Sequence, residues 1–184
     1  MARWFAQLSP SGARVLDVGC GDGLLSARIV QLRPDLEVWG LEVLPRPGSK
    51  IPVEVFDGSH IPFEDESFDA VLFSDVLHHT EDPAALLREA CRVAKRHLLL
   101  KDHYRKGIAA GQRLRLMDWV GNARFGVALP YNYLTEKRWH EIWRELGLGV
   151  EEIVTTLGLY PGPADWIFGA QLHFVARLGK LTGD

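Results

Sequence analysis

Residues 15–23 read Val15-Leu16-Asp17-Val18-Gly19-Cys20-Gly21-Asp22-Gly23 and carry the strongest structural signal in the sequence. The apolar run that starts at Ala13 is rich in branched residues and stops abruptly at the glycines, a pattern typical of a buried strand that enters a tight turn. From Leu24 onward, apolar residues recur at helical spacing until Pro34, which ends the helix. The stretch therefore predicts a unit of strand, glycine turn and helix.

Further strands and helices follow this unit in alternation. Short runs rich in branched or aromatic residues predict six more strands, at residues 37–42, 53–56, 68–73, 96–101, 150–157 and 172–178. Helices are predicted at residues 84–94, after an Asp82-Pro83 start, and at residues 135–146, after a Thr135 cap. Alternation at this spacing favours parallel crossover units. It therefore predicts a three-layer, Rossmann-like α/β fold with helices on both faces of the sheet.

Length and composition limit the class of protein. A chain of 184 residues with 47% hydrophobic and 24% charged residues predicts one globular domain over residues 1–184. The sequence shows neither a membrane-length apolar run nor a secretory leader, so we expect a cytoplasmic protein without a membrane span. A net charge of −3 predicts no general attraction to nucleic acid. Because Cys20 and Cys91 lack zinc-ligand spacing, no metal is expected.

The spacing of the glycines in the turn discriminates between nucleotide ligands. They form Gly-x-Gly-x-Gly, whereas a dinucleotide fingerprint would need glycine at position 24, which is Leu24. Two carboxylates in the motif, Asp17 and Asp22, would repel a pyrophosphate but suit a cationic ligand that carries an amino acid. Glu42 ends the second strand, where a carboxylate can accept hydrogen bonds from two ribose hydroxyls.

Several motifs resemble those of one enzyme family. Residues 15–23 resemble motif I of the class I S-adenosylmethionine-dependent methyltransferases. Asp57-Gly58 and residues 61–71 are similar to the adenine-side motif and fourth strand of the type 11 branch. The segment Val76-Leu77-His78-His79, followed by Asp82-Pro83, resembles what comes next in that branch. The resemblance implies a mostly parallel seven-stranded sheet with an antiparallel final strand. It also implies S-adenosylmethionine as cofactor and S-adenosylhomocysteine as product.

The resemblance assigns cofactor-binding roles to the residues that match its motifs. The glycine turn would border the methionine part, and Asp17 would position either the amino group or the turn. Glu42 would accept the ribose hydroxyls, Asp57 would accept the adenine amino group, and Ser74 would offer its carbonyl to the methionine ammonium. Apolar side chains after Glu42 would pack on the adenine ring. The implied cofactor-binding residues are Asp17, Gly19, Cys20, Gly21, Glu42, Val43, Leu44, Asp57, Gly58 and Ser74.

Two long connections are expected to cover the acceptor. Ligands of open α/β sheets lie outside the carboxyl ends of the strands, which residues 102–134 and 158–170 would border. We predict that residues 102–134 form a substrate-lid insertion and that aromatic side chains of both connections line the acceptor pocket. The alternative is that these aromatics form the core of an added helix pair. They are Trp119, Phe125, Tyr131, Tyr133, Tyr160, Trp166 and Phe168. Tyr131 and Tyr133, which flank Asn132, are the strongest pocket candidates.

Methyl transfer makes modest demands on the protein. The reaction is an in-line displacement in which the cofactor brings the activated carbon, so the protein has mainly to align the acceptor. A hydroxyl acceptor also benefits from a base. The predicted catalytic residues are His79, Asp75 and Tyr131, with His78 and His103 as further candidates. The alternative for His79 is a role in capping or packing, and the reaction itself requires no metal.

Charge is unevenly distributed along the chain. Residues 51–87 hold nine acidic residues without lysine or arginine, whereas residues 92–124 hold nine basic residues against two acidic ones. Two solvated faces would explain this pattern. The functional interpretation is an anionic small-molecule acceptor that is drawn toward Arg105, Lys106, Arg113 and Arg115.

Other functions stay open beside methyl transfer. The chain can be a catalytically inactive scaffold or partner subunit that binds S-adenosylmethionine, since the cofactor motifs indicate binding and not turnover. A nicotinamide-dependent oxidoreductase is disfavoured by Leu24 and by the acidic turn. The sequence determines neither the acceptor nor the oligomeric state.

Overall fold

The computed structural model describes residues 1–107, 109–122, 131–160, 162, 165–169 and 171–181. Within them, seven strands and five α-helices follow one another, with a short 3-10 helix at Leu77–His79 and a π-helix at Asp165–Gly169. Phe125 and the side chain of Trp166, both predicted to line the acceptor pocket, lie outside the described part.

The strands form a single sheet. They are β1 Arg14–Val18, β2 Glu37–Glu42, β3 Val53–Val55, β4 Phe68–Ser74, β5 Ala94–His103, β6 Leu148–Val154 and β7 His173–Lys180. Their order across the sheet is β3-β2-β1-β4-β5-β7-β6. The first five strands pair in parallel, whereas β7 runs antiparallel to both β5 and β6. The predicted α/β fold, with its mostly parallel sheet and antiparallel final strand, is confirmed.

The helices are α1 Ala2–Leu8, α2 Leu24–Leu32, α3 Pro83–Val93, α4 Ala110–Asn122 and α5 Glu136–Glu145. The predicted caps of α3 and α5 are present. The Asp82 carboxylate accepts hydrogen bonds from two amides of α3, each at 3.0 Å, and the Thr135 hydroxyl accepts one from Arg138 at 3.2 Å. Helices α1 and α4 were not predicted. No helix in the described ranges has both the length and the apolar character needed to cross a membrane.

Alternate residues of the central strands face opposite helical layers, as the pleat of a strand requires. Leu16 and Val18 of β1 belong to the core that includes Trp143 of α5. Val15, which precedes Leu16, belongs to the core on the other face, with Ile29 of α2. This alternation decides which layer receives each polar side chain of the strands.

Strand β5 is longer than its sequence predicts. It runs from Ala94 to His103 instead of covering residues 96–101, because β7 pairs with it through to His103 opposite His173. Asp102 and His103, which the sequence placed at the start of the lid, therefore belong to the sheet. The first part of the lid that leaves the sheet leads into α4.

Candidate functional site

The glycine turn connects β1 to α2 at the carboxyl edge of the sheet. Gly19, Gly21 and Gly23 have positive φ angles of 74°, 61° and 72°, a conformation that other residues rarely adopt. A Cβ atom at Gly19 would lie 2.6 Å from Cγ2 of Val76. Glycine therefore lets the turn approach the segment that follows β4.

Glu42, at the end of β2, closes the turn from the other side. Its Oε2 accepts a hydrogen bond from the Gly21 amide at 2.7 Å. Its Oε1 accepts hydrogen bonds from the amides of Val43 and Leu44, at 2.9 and 3.3 Å. Each carboxylate oxygen has two lone pairs, so the group keeps acceptor capacity for a ligand. The residue predicted to bind ribose thus lies against the turn predicted to bind methionine.

Asp17 is a buried carboxyl of β1 on the face that α2 covers. Its Oδ2 accepts a hydrogen bond from the Ser26 hydroxyl at 2.6 Å. Burial raises the pKa of Asp17 to about 7; the Ser26 hydrogen bond opposes this change and the charge of Glu42 adds to it. The side chain ties α2 to β1 beneath the turn, which agrees with the turn-positioning alternative for this residue.

The Cys20 side chain packs inside the sheet. A Cβ atom at Gly40 would lie 2.5 Å from Cys20 Sγ, so β2 passes the thiol closely. Burial raises the pKa of Cys20 to about 12, which leaves a protonated thiol at neutral pH. The structure gives the side chain a packing role, and contact between Cys20 and a cofactor stays a prediction.

Exposed residues follow β2 and β3 where the adenine ring was predicted to lie. Asp57 Oδ1 accepts a hydrogen bond from the His60 amide at 2.7 Å, and this bond, with two from the residue before His60, lowers its pKa. Val43 and Leu44 expose 44% and 64% of their surface. Gly58 lies beside Val43, since a Cβ atom there would be 3.3 Å from Val43 Cγ2. The fold brings the four predicted adenine-side residues to one exposed region.

Ser74 ends β4, and the next residue turns the chain sharply. Asp75 has a positive φ of 60°, which is uncommon for a residue other than glycine. Its carboxylate forms an ion pair with the Lys101 ammonium of β5, whose side chain is 5% exposed. Burial acts to raise the pKa of Asp75, but the charges of Lys101 and His103 outweigh it and keep that pKa low. Asp75 is therefore an ionised carboxylate at the ends of β4 and β5.

A buried histidine–carboxylate pair lies next to Asp75. Asp102 Oδ1 accepts a hydrogen bond from His78 Nδ1 at 2.8 Å and another from the His103 amide at 2.8 Å. Burial raises the pKa of Asp102, but the facing His78 and His103 lower it overall, so the carboxylate is ionised. An ionised carboxylate only accepts hydrogen bonds, so the proton of this contact is on His78 Nδ1.

The predicted catalytic histidine lies directly beside this pair. His79 belongs to the short 3-10 helix after β4 and is half-buried. Its ring centroid is 4.1 Å from that of His78. His79 and Asp75 are thus both at the carboxyl edge, as predicted, whereas their contact with an acceptor stays a prediction.

Residues 131–133 contact the segment after β4. The Asn132 amide donates to the His78 carbonyl at 3.1 Å, and its side chain donates to the carbonyls of Thr80 and Glu81, both at 3.3 Å. The Tyr133 ring stacks on His78 with centroids 5.4 Å apart. Tyr131 packs against this group. The end of the predicted lid therefore lies over the strand ends.

Two other predicted lid residues have different surroundings. The Arg115 guanidinium lies 5.3 Å above the centroid of the Tyr131 ring. Trp119 exposes 58% of its surface, so it belongs neither to a helix-pair core nor to an enclosed pocket in this structure. Its exposure corrects both alternatives that the sequence left open for this residue.

The connection between β6 and β7 reaches the same cluster of histidines. His173 Nε2 donates to the Phe168 carbonyl at 2.9 Å, and its ring centroid lies 4.7 Å from that of His103. Burial and the Lys101 charge lower the pKa of His173 to about 3, so its ring is neutral. A cavity of about 100 Å³ lies beside it, lined by Thr155, Thr156, Leu157, Gly158, Leu159, Asp165, Gly169, Gln171 and His173.

Sequence reasoning missed three members of this polar cluster, Lys101, Asp102 and His173. The available signal was the run Leu98 to His103, in which three apolar residues of a buried strand are followed by three polar ones. Buried charged residues need partners, so a polar end to an apolar strand indicates such a cluster.

Strand order, the glycine turn and the Glu42 contact together define a class I methyltransferase fold. Residues 1–153 match the family described as "Methyltransferase domain". The chain belongs to this family. Membership confirms the class that residues 15–23 predict and is consistent with the type 11 branch.

Curated relatives match about half of the chain. The chain is 34% identical over 102 residues to a ubiquinone biosynthesis O-methyltransferase of Xanthomonas axonopodis pv. citri (strain 306), covering 49% of this chain and 42% of the relative. It is 37% identical over 95 residues to a demethylmenaquinone methyltransferase of Roseiflexus castenholzii, covering 47% and 40%. The matched region is thus less than half the length of these relatives.

Solved structures share the fold over nearly the whole chain. A chain from the complex of the Haloferax volcanii Trm112 methyltransferase activator with a candidate methyltransferase has a TM-score of 0.72 at 16% identity, covering 98% of this chain and 91% of that one. An S-adenosylmethionine-dependent methyltransferase from Methanosarcina mazei has a TM-score of 0.69 at 19% identity, covering 96% of each chain.

Proposed function

We propose that the protein transfers a methyl group from S-adenosylmethionine to a hydroxyl group of a small-molecule acceptor. The observation that carries the proposal is the hydrogen bond from the Gly21 amide to Glu42, which joins the glycine turn to the end of β2. With Asp57 exposed after β3, the chain offers acceptors for ribose and adenine along one edge of the sheet.

The residues at this edge fit the cofactor chemically. The atoms nearest to a Cβ at Gly21 would be those of the Arg46 guanidinium, from 3.7 Å, so the far end of a flexible side chain covers the turn on this side. All three hydrogen bonds given above for Asp57 reach Oδ1, and Oδ2 can take an exocyclic amino group. The exposed faces of Val43 and Leu44 would be covered by an adenine ring.

The reaction needs alignment and a proton acceptor. When bound, S-adenosylmethionine supplies a methyl carbon whose bond to sulfur breaks as its bond to the acceptor oxygen forms. His79 takes the hydroxyl proton, because it is a half-buried imidazole at the strand ends. Asp75 is less suited as a base, since Lys101 lowers its pKa, and its charge would orient the acceptor instead. Tyr131 closes the site from the lid side.

Acceptor class follows from the lining of the site and from the relatives. Tyr133 is buried against His78, whereas the half-buried ring of the adjacent Tyr131 suits a planar acceptor. The name of the Xanthomonas relative points to O-methylation in ubiquinone biosynthesis. Arg105 and Arg115 are exposed on the lid side, which favours an anionic acceptor. A phenol that carries a carboxylate meets all three conditions.

A second candidate is a cofactor-binding subunit without turnover of its own. The structural neighbour from the Trm112 activator complex supports this alternative, because a methyltransferase fold there occurs together with an activator. The two candidate functions differ in whether the purified chain alone catalyses methyl transfer.

The experiment that tests the proposal is formation of S-adenosylhomocysteine by the purified chain with a panel of hydroxybenzoates and catechols. We expect turnover with at least one anionic phenol. We also expect His79→Ala to lower kcat by about 10²–10⁴-fold without weakening S-adenosylhomocysteine binding. Glu152→Ala, an exposed change on β6, is the matched control. Cofactor binding without turnover over the whole panel would favour the subunit alternative.

A further inference from the structure

We propose that Asp75, His78 and His103 bind a divalent transition-metal ion at the carboxyl ends of β4 and β5. One ligand atom from each of the three residues lies within 4.8 Å of the others. His103 Nε2 is already 3.7 Å from Asp75 Oδ1. Two imidazoles and one carboxylate form a common ligand set for Zn²⁺, Fe²⁺ and Mn²⁺.

Asp102 contacts both histidines. Its Oδ1 holds His78 Nδ1 at 2.8 Å and lies 3.4 Å from His103 Nδ1. Histidine ligands of metal ions commonly direct one ring nitrogen at a carboxylate, which fixes the ring and leaves the other nitrogen for the metal. With His78 Nδ1 bonded to Asp102 and His103 Nε2 facing Asp75, we expect both histidines to bind the ion through Nε2. One buried carboxylate thus fixes the His78 ring and holds the backbone of the second histidine.

Burial separates this group from an ordinary surface cluster. The side chains of His78 and Asp102 are each 1% exposed, and that of His103 is 9% exposed. Asp102 Oδ2 is buried and has no hydrogen-bond partner among the residues that the structure describes. A buried carboxylate is costly without a nearby positive charge, and a divalent ion bound to the two adjacent histidines would supply one.

Lys101 supplies the competing positive charge. Its ammonium forms an ion pair with Asp75, and no other lysine or arginine is paired with that carboxylate in the described ranges. An ion bound through bonds of about 2.0–2.2 Å places its ligand atoms about 3–3.5 Å apart, so the side chains must draw together by about 1 Å. When the ion binds, we expect the ion pair between Lys101 and Asp75 to break and the Lys101 side chain to move toward solvent. Removing the ammonium should therefore tighten binding.

The position of the ion would matter for the acceptor. Three protein ligands leave coordination positions open, as in catalytic metal sites. These positions would face the region that Tyr133 and residues 131–132 cover, where two adjacent hydroxyls of an acceptor could bind. This use of the ion rests on the proposed function, whereas binding of the ion does not.

Titration calorimetry of the tag-free chain with Zn²⁺ tests the site. We expect one ion per chain, and we expect His78→Ala and His103→Ala each to weaken binding more than about 100-fold, beyond the loss typical of an outer-shell change. Lys101→Met should bind at least as tightly as the wild type. The matched control is His60→Ala, an exposed histidine that faces Glu89 at 2.8 Å and should leave binding unchanged.

Two further measurements test the site even if the buried histidine variants do not fold. Asp75 is 40% exposed in its side chain, so Asp75→Asn should fold even where the buried histidine variants do not, and it should weaken binding about 10–100-fold. Co²⁺ absorption in the visible region should show nitrogen ligation in the wild type and not in His103→Ala. Absence of saturable Zn²⁺ binding by the folded wild type, or equal affinity in Asp75→Asn, would overturn the site. Titration of the same samples with S-adenosylhomocysteine tests the proposed function separately.

Discussion

Ser26 donates its hydroxyl proton to the buried carboxylate of Asp17 across 2.6 Å, directly beneath the glycine turn. The contact joins the first turn of α2 to β1, so the strength of this tie depends on the charge state of one carboxyl group. Because burial raises the pKa of Asp17 to about 7, that charge changes near neutral pH.

This relationship predicts a pH-dependent stability. The pKa of Asp17 is higher in the folded chain than in the unfolded chain, so the folded state binds more protons between about pH 4 and pH 7. The stability contribution is fully present below about pH 4 and is lost as pH rises through 7. Asp17→Asn does not carry this charge. On going from about pH 4 to about pH 8, its free energy of unfolding should therefore rise by on the order of 2–4 kcal/mol relative to that of the wild type. Urea unfolding at both pH values measures it; parallel curves for the two proteins would contradict the assignment.

A side chain at Gly40 is predicted to destabilise the fold. Its φ angle is not in the left-handed region, yet an added Cβ would lie 2.5 Å from Cys20 Sγ. Gly40→Ala should lower the free energy of unfolding by about 1–3 kcal/mol through overpacking. The control is Gly111→Ala in α4, where nothing lies within 4 Å and a neutral or stabilising effect is expected. Adding Cys20→Ala should recover part of the loss, and a strictly additive double variant would argue against direct contact.

Asn132 is predicted to hold the lid over the acceptor. Asn132→Ala removes two hydrogen bonds to the carbonyls of Thr80 and Glu81. The acceptor KM should rise about tenfold, as expected for about 1.4 kcal/mol of lost lid contact, while S-adenosylhomocysteine affinity stays unchanged. Gln112→Ala, an exposed change on α4, serves for comparison. If Asn132→Ala weakened cofactor binding and left the acceptor KM unaltered, the lid assignment would be wrong.

The start of α3 offers a test that is independent of any ligand. Asp82→Ala removes the cap that accepts hydrogen bonds from Ala84 and Ala85, and should cost about 1 kcal/mol of stability. Glu81→Ala, one residue earlier and exposed, should change stability by less than about 0.5 kcal/mol. Thermal unfolding of the pair distinguishes the cap from a general effect of charge.

Most strands and helices of the fold could be predicted from patterns among neighbouring residues. The branched run before Gly19 and the proline after Asp82 are decided by neighbours in sequence, and both elements lie where they were predicted. The end of β5 was not predictable in this way. His103 extends the strand because it pairs with His173, a partner 70 positions later that no local pattern reveals.

In the candidate site, too, some residues could be placed from sequence and others could not. Glu42 and Asp57 follow strands in a recognisable order, so sequence alone could place them at the carboxyl edge. The contact between His78 and Asp102 joins two strand ends through the sheet order β4-β5, and the sequence showed only two unrelated polar residues. Burial of Lys101 likewise depends on the pairing of β5 with β7, since a lysine at a strand end is usually solvated.

The most direct measurement is calorimetric titration of the chain with S-adenosylhomocysteine, repeated with NAD and on Glu42→Ala and Asp57→Ala. We predict selective binding of S-adenosylhomocysteine. Each variant should lose at least about tenfold in affinity, because a hydrogen bond to a charged group contributes about 1.5–3 kcal/mol. Glu152→Ala should bind as the wild type does. Absence of binding by the folded wild-type chain, or wild-type affinity in both variants, would contradict cofactor binding at this edge of the sheet.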